Sequence, residues 1–197
     1  MKSVLRILAV FALFGIATAD YTKTCSWEGT ATILGQYGDV LASISTVNVH
    51  AGTQSLYLVH DAGSGIPQAF VALITGLLPG DNVHGEFWRY DVTSGASPSC
   101  RIWGHWISDP GDINSYSGYA GGNTSHGPGT GWDLASWTWS AGAGNENLVI
   151  EVRIHESAGD YIWIDDMSIT APDNATILTP DETPVHRTTW GEIKVAF

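Results

Sequence analysis

The sequence predicts an all-β fold, a two-sheet antiparallel sandwich. Short runs of β-branched and aromatic residues recur along the chain, each bounded by Gly, Pro, Asp or Asn. No segment after the first twenty residues shows sustained 3.6-residue periodicity with helix caps. The composition agrees: 23 Gly, 9 Trp and 7 Tyr with only 14% charged residues. A helical bundle would be rich in Ala, Leu, Glu and Lys instead. A disordered chain would be poor in aromatics and rich in charge.

Taken in order, residues 1–19 read as a secretory signal peptide. Lys2 and Arg6 give a positive start, residues 4–16 are almost unbroken apolar sequence, and Ala17-Thr18-Ala19 is a small-residue cleavage site. The apolar run is too short for a membrane anchor, so the expectation is a secreted or extracellular protein with no membrane insertion. A first strand is predicted at 30–34. Ser55-Leu56-Tyr57-Leu58-Val59-His60 alternates and reads as a second strand, and 69–74 is nearly all apolar and reads as a buried one. Leu78-Pro79-Gly80-Asp81 is a turn, with Pro presetting the bend and Gly free to take positive φ. A strand at 83–92 would follow it as the second arm of a hairpin. Further strands are predicted at 101–107, 132–139, 148–155 and 161–170. Residues 108–131 read as a long loop rich in Gly, Ser and Asn, and loops of that length are commonly functional. After Pro172 the texture changes. Residues 173–184 carry acids and prolines and read as a linker, and 188–197 form a short amphipathic tail. That tail is either a sorting or surface-attachment signal or a docked terminal segment. The predicted organisation is thus leader 1–19, sandwich 20–172 and linker with tail 173–197.

The formal charge is −12, and without Lys2 and Arg6 it falls to about −14. A nucleic-acid partner is disfavoured, because such binders carry a basic face. Docking on an anionic membrane surface is disfavoured for the same reason. The two cysteines, Cys25 and Cys100, are read as one disulfide in an exported chain, with two buried thiols as the alternative.

Strand alternation sorts residues onto two faces. In the 83–91 run, Val83, Gly85 and Phe87 would point to the core, and His84, Glu86, Trp88 and Tyr90 outward. In 148–155, Leu148, Ile150, Val152 and Ile154 would point inward, and Val149, Glu151, Arg153 and His155 outward. In 101–107, Arg101, Trp103 and His105 are assigned outward, with Ile102, Gly104 and Trp106 inward. The outward set combines Trp88, Tyr90 and Trp103 with Glu86, Glu151, Arg101, Arg153, His105 and His155. That combination suits a sugar: a pyranose packs its C–H face on an aromatic ring, and its hydroxyls need fixed donors and acceptors. Tyr116, Tyr119 and Trp132, in or beside the long loop, would form a rim. The bland alternatives are a small aromatic cluster under the loop and ordinary surface ion pairs.

These residues also carry a family resemblance. Cys25-Ser26-Trp27-Glu28, Gly52-Thr53-Gln54-Ser55-Leu56-Tyr57-Leu58, the Thr75-to-Asp81 turn before Phe87-Trp88-Arg89-Tyr90, and Tyr161-Ile162-Trp163-Ile164-Asp165-Asp166-Met167-Ser168-Ile169 resemble the galactose-binding-like jelly roll of carbohydrate-binding modules, nearest families 4, 9 and 22. Related sandwich domains of secreted bacterial hydrolases share the pattern. The resemblance implies a concave sheet that binds a polysaccharide, such as a plant or microbial cell-wall glycan. It also implies a structural Ca²⁺ between the first and last strands, with Glu28 and Asp165 or Asp166 at the matching positions. Carboxylates at adjacent strand ends are suitable oxygen ligands for that ion.

Motifs for zinc proteases, serine hydrolases, P-loops and dinucleotide binding are absent. Two enzyme readings survive beside non-catalytic binding. Glu86 and Glu151 could be the paired carboxylates of a glycoside hydrolase. Alternatively Arg101 or Arg153 could neutralise a uronate while His105 or His155 and Tyr90, Tyr116 or Tyr119 perform the acid–base work of a polysaccharide lyase. The acidic charge sits badly with a polyanionic substrate unless a local basic cleft offsets it. A three-histidine metal site from His84, His105 and His155 is a weaker reading. A different class is an adhesive or structural surface protein.

Overall fold

The computed structural model describes residues 19–61, 65–92, 99–127, 130–155 and 158–181. The strands are β1 (Asp20–Cys25), β2 (Gly35–Tyr37), β3 (Val40–Ser45), β4 (Ser55–His60), β5 (Gln68–Thr75), β6 (Asn82–Asp91), β7 (Ser99–Ile107), β8 (Tyr116–Gly122), β9 (Gly131–Ser140), β10 (Asn147–His155), β11 (Tyr161–Pro172) and β12 (Thr176–Leu178). They form two antiparallel six-stranded sheets. The first has the order β3-β4-β11-β6-β9, with β1 also paired to β11; the second has β12-β5-β10-β7-β8, with β2 also paired to β5. The all-β sandwich is therefore as predicted.

Alternation builds the core between the sheets. Leu148, Ile150, Val152 and Ile154 of β10, Val83 and Phe87 of β6, and Ile102 and Trp106 of β7 all lie in the main apolar cluster. Burial of each large aliphatic or aromatic side chain contributes about 1.5–3 kcal/mol. The face assignments on these three strands hold, and they set what remains outside.

Five strands, β2 among them, escape the sequence pattern. β1 reads Asp-Tyr-Thr-Lys-Thr-Cys and lies along β11 with its outer positions exposed. β3 pairs β4 at a sheet margin. β8 is cut from the glycine-rich stretch expected to be loop. β12 lies beyond the expected boundary of the sandwich. Residues 30–34, expected as a strand, are irregular and lead into β2. The predicted hairpin is also corrected. Its turn is present, with Asp81 N–H donating to the Leu78 carbonyl at 3.0 Å and Gly80 at φ 98°. Yet β5 and β6 belong to different sheets, so the turn arches across the sandwich.

The segment after Pro172 is not a free linker at its start. Asp173 N–H donates to the Ala19 carbonyl, and β12 pairs β5 with Ile177 fully buried. Residues 1–18 of the leader and residues 182–197, including the amphipathic tail, lie outside the described residues.

The predicted disulfide is overturned. Cys25 ends β1 opposite Met167 in the first sheet, and Cys100 lies on β7 opposite Ile154 in the second. Neither forms a disulfide, and both are buried in the main apolar cluster. Burial pushes each thiol up to about 12.

Candidate functional site

The two outer faces of the sandwich point away from each other, and this divides the predicted site residues. Glu151, Arg153, Trp103, His105 and Arg101 sit on the second sheet. Trp88, Tyr90, Glu86 and His84 sit on the first, as does Trp132, which pairs Tyr90. One face holding all of them is thus corrected to two.

On the second sheet, β10 and β7 run side by side with Glu151 opposite Trp103, Arg153 opposite Arg101 and Val149 opposite His105. A bulge in the β5–β10 ladder brings Phe70 opposite Glu151 and Gln68 opposite Arg153. Val71 and Ala72 both point into the main core, so the bulge turns Phe70 to the outer side. There Phe70 joins Leu73, Ile107 and Val149 in a small second cluster, capped by Leu34, Ile113 and Leu178. This cluster covers one end of the outer face and leaves the other end open.

The open end is a cleft of about 430 Å³, lined by Tyr37, Gln68, Phe70, His105, Asn114, Tyr116 and Arg153. That volume suits a short run of sugar units. Tyr37 from β2 and Tyr116 from β8 are 67% and 62% exposed, and their strands lie on opposite sides of β5, β10 and β7. β2 can sit there because Gly35 lies against Phe70; a Cβ at Gly35 would come within 3.1 Å of that ring. The 109–115 turn is hydrogen-bonded within itself. Asp109 and Asp112 accept from Gly111 and Asn114 N–H, and Ser115 Oγ donates to both Asp carbonyls. Ile113 anchors this turn in the small cluster, and Asn114 is presented to the cleft.

Below the cleft, Glu151 is fully buried. Its Oε1 accepts from Arg153 Nε and Nη2 at 3.1 and 2.9 Å. Its Oε2 has no hydrogen-bond partner and faces His105 Nδ1 at 3.8 Å. A buried carboxylate is costly unless paired, so the Arg153 fork is what holds Glu151 in place. His105 is itself buried, 4.9 Å from the Phe70 ring and 5.7 Å from the Tyr116 ring between centroids. Beside them the Trp103 ring lies under two guanidiniums, Arg153 at 4.7 Å and Arg101 at 5.4 Å. Burial and the like charge of Arg153 lower the Arg101 pKa. Gly122 lets β8 close on this ring, since a Cβ there would lie 2.6 Å from Trp103 Cα. His155 ends β10, and its side chain lies outside the described residues. Tyr119 is 75% exposed on β8 opposite His105.

The first sheet's outer face is different. Tyr57, Trp163, Tyr90 and Trp132 are in direct register across β4, β11, β6 and β9. Successive centroids are 4.9, 5.8 and 5.3 Å apart, with rings tilted or edge-on, so each ring packs on the next. Trp88 is covered by the His50 ring, parallel within 16° at 4.1 Å, and His50 is held by Asp166 at 2.7 Å. The face of Trp88 that a sugar would use is therefore occupied by protein.

The enzyme constellations fare unequally. Glu86 and Glu151 lie on opposite sides of the sandwich, so they cannot flank one glycosidic bond. His84 is likewise parted from His105. Arg153, His105 and Tyr116 do share the cleft, whereas Tyr90 does not.

Glu28, Asp165 and Asp166 do not converge on a cation site. Glu28 accepts from Thr53 N–H, Thr53 Oγ1 and Gln54 N–H. That uses three of its roughly four lone-pair directions and lowers its pKa. Buried Asp165 accepts from His50, Ala51 and Asp166 N–H. Among the described residues, no three His, Cys, Asp or Glu side chains are grouped to hold a metal. As folded, these carboxylates do not fit Ca²⁺.

Sequence reasoning missed Tyr37, Gln68, Phe70 and Asn114. Tyr37 sits in a three-residue strand, and Phe70 reaches the site only through the bulge. Asx-turn spacing at Asp109 and Asp112 was the legible signal for Asn114.

The two-sheet jelly-roll fold is like that of solved CBM22 xylan-binding domains. The first CBM22 xylan-binding domain of Paenibacillus barcinonensis Xyn10C superposes with a TM-score of 0.58 at 17% identity, covering 79% of this chain and 97% of that one. The tandem of both CBM22 domains from the same protein gives 0.56 at 16% identity, covering 90% of this chain and 50% of that one. No family model matches the sequence, and no curated protein matches it.

Proposed function

We propose that this chain is a secreted polysaccharide-binding protein that works without catalysis, and that it holds its glycan in the cleft of the second sheet. One observation carries the reading. A buried Glu151 locks Arg153 beneath an open cleft whose sides are exposed Tyr37 and Tyr116. Tyrosines supply stacking surfaces, and Arg153, His105, Gln68 and Asn114 supply fixed donors and acceptors for hydroxyls. Little side-chain ordering is needed on binding, because the polar groups are already held. The amino-terminal leader read in the sequence supports an extracellular setting. The fold likeness to xylan-binding domains makes xylan the first ligand to try.

Affinity electrophoresis on xylan, β-glucan, mannan and pectin tests the reading, with reducing ends and unsaturated uronates measured in parallel. Retardation without new ends supports it. New ends or unsaturated products would show an enzyme, and Arg153, His105 and Tyr116 would then be its catalytic candidates. Failure to bind any glycan would favour an adhesive role.

A further inference from the structure

We propose that the open edge of β3 pairs antiparallel with β3 of a second copy of this chain, joining two first sheets into one about a two-fold axis at Ala42. β3 ends the first sheet, and among the described residues it pairs only with β4. Asp61 N–H donates at 2.9 Å to the carbonyl of Asp39, the residue directly opposite in the same register. Bonded and non-bonded pairs alternate along an antiparallel ladder, so Leu41, Ser43 and Ser45 bond to β4. The N–H and C=O groups of Val40, Ala42 and Ile44 therefore point away from β4, along the margin of the sheet. Among the described residues those groups have no hydrogen-bond partner.

Sheet edges are usually blunted by Lys, Pro, a bulge or a covering segment. β3 reads Val-Leu-Ala-Ser-Ile-Ser, and its register with β4 is unbroken. The opposite margin, β9, is covered in part, since Asn123 Nδ2 donates to the Ser136 carbonyl at 3.1 Å. No Asp, Glu, Lys or Arg occurs from residue 40 to residue 60. In a chain of net charge −12, two copies meet along this margin with little repulsion. The stripe is also self-complementary. An axis at Ala42 sets Ala42 against its own copy and Val40 against Ile44, so β-branched side chains pair on the core side. On the outer side Leu41, 55% exposed, comes to lie against Ser43 and diagonal to the second Leu41. Such an axis stands perpendicular to the sheet and keeps both second sheets on one side. On the glycan-binding reading of the cleft, both clefts then face one polysaccharide; the self-pairing does not depend on that reading.

Sedimentation equilibrium of the full chain, without glycan, tests the pairing. One strand pair is a small interface, so its dissociation constant should be on the order of 10–100 μM. Ala42→Pro removes an edge N–H and no bond to β4. It should weaken association about tenfold or more at an unchanged melting temperature, because the axis makes that loss twice. Leu41→Glu sets two carboxylates diagonally across the axis, and Leu41→Lys sets two ammoniums there. Each alone should weaken association, and an equimolar mixture of the two should restore it. A parent chain that stays monomeric up to about 1 mM would overturn the proposal. Association of equal strength in the parent and all three variants would do the same, as would a charge-complementary mixture that associates no better than its components.

Discussion

Arg153 donates twice to a single oxygen of Glu151, at 3.1 and 2.9 Å, while the second oxygen of that carboxylate faces only His105 at 3.8 Å. Glu151 is buried, so it acts by positioning its neighbours. Glu151→Ala should cost on the order of 3 kcal/mol, because it breaks a buried charge pair. It should also weaken glycan binding about tenfold or more as Arg153 loses its orientation. Glu151→Gln retains an acceptor for the Arg153 fork and should restore most of both. Thermal melts and titration calorimetry of the two variants check this.

Trp103 and Trp88 should behave oppositely. Trp103→Ala removes the ring under Arg101 and Arg153, and should weaken glycan binding by on the order of tenfold to a hundredfold. Trp88→Ala removes the ring stacked on His50. It should destabilise the fold by about 3 kcal/mol and leave glycan affinity unchanged. Measured affinity loss in Trp88→Ala without loss of stability would contradict the assignment of Trp88 to packing.

The two cysteines should be silent to reductant and slow to alkylate in the native state. Their thiols are pushed up to about 12 by burial, above the usual 9.0. As pH rises, the unfolded chain gives up these protons first, so the native state then binds more of them. Their contribution is therefore complete below about pH 9 and is lost between about pH 9 and 12. Denaturant midpoints across that range should fall more steeply in the parent than in a Cys25→Ala, Cys100→Ala double variant.

Chelation should leave the melting temperature unchanged. Glu28 and Asp165 each already accept three hydrogen bonds from the chain, and these would have to be given up to ligate Ca²⁺. A rise in melting temperature on adding Ca²⁺ after EDTA would show that these side chains rearrange around the ion.

Period-two alternation was strong where a strand buries one full face. It located β6, β7 and β10 and sorted their residues inward and outward. It could not say which sheet each strand joins, because alternation is local and sheet membership is a long-range pairing. That is why Trp88 and Trp103, both correctly turned outward, were placed on one face when the whole core separates them. Polar or glycine-rich strands such as β1 and β8 bury too little to leave a pattern. Phe70 was hidden for another reason: a bulge resets the parity at Val71, and one residue's shift moves a side chain to the other face.

The hydroxyl of Tyr21 donates to the Ala175 carbonyl and accepts from Ile177 N–H, and Asp181 lies beside Cys25. The strand that opens the sandwich and the one that closes it are thus stitched together across the two sheets. The chain enters beside Asp173 and, after residues 174–181 have run back along β1, leaves beside Cys25, a strand's length of roughly 17 Å from where it entered. Any version trimmed at Pro172 would lack this seam.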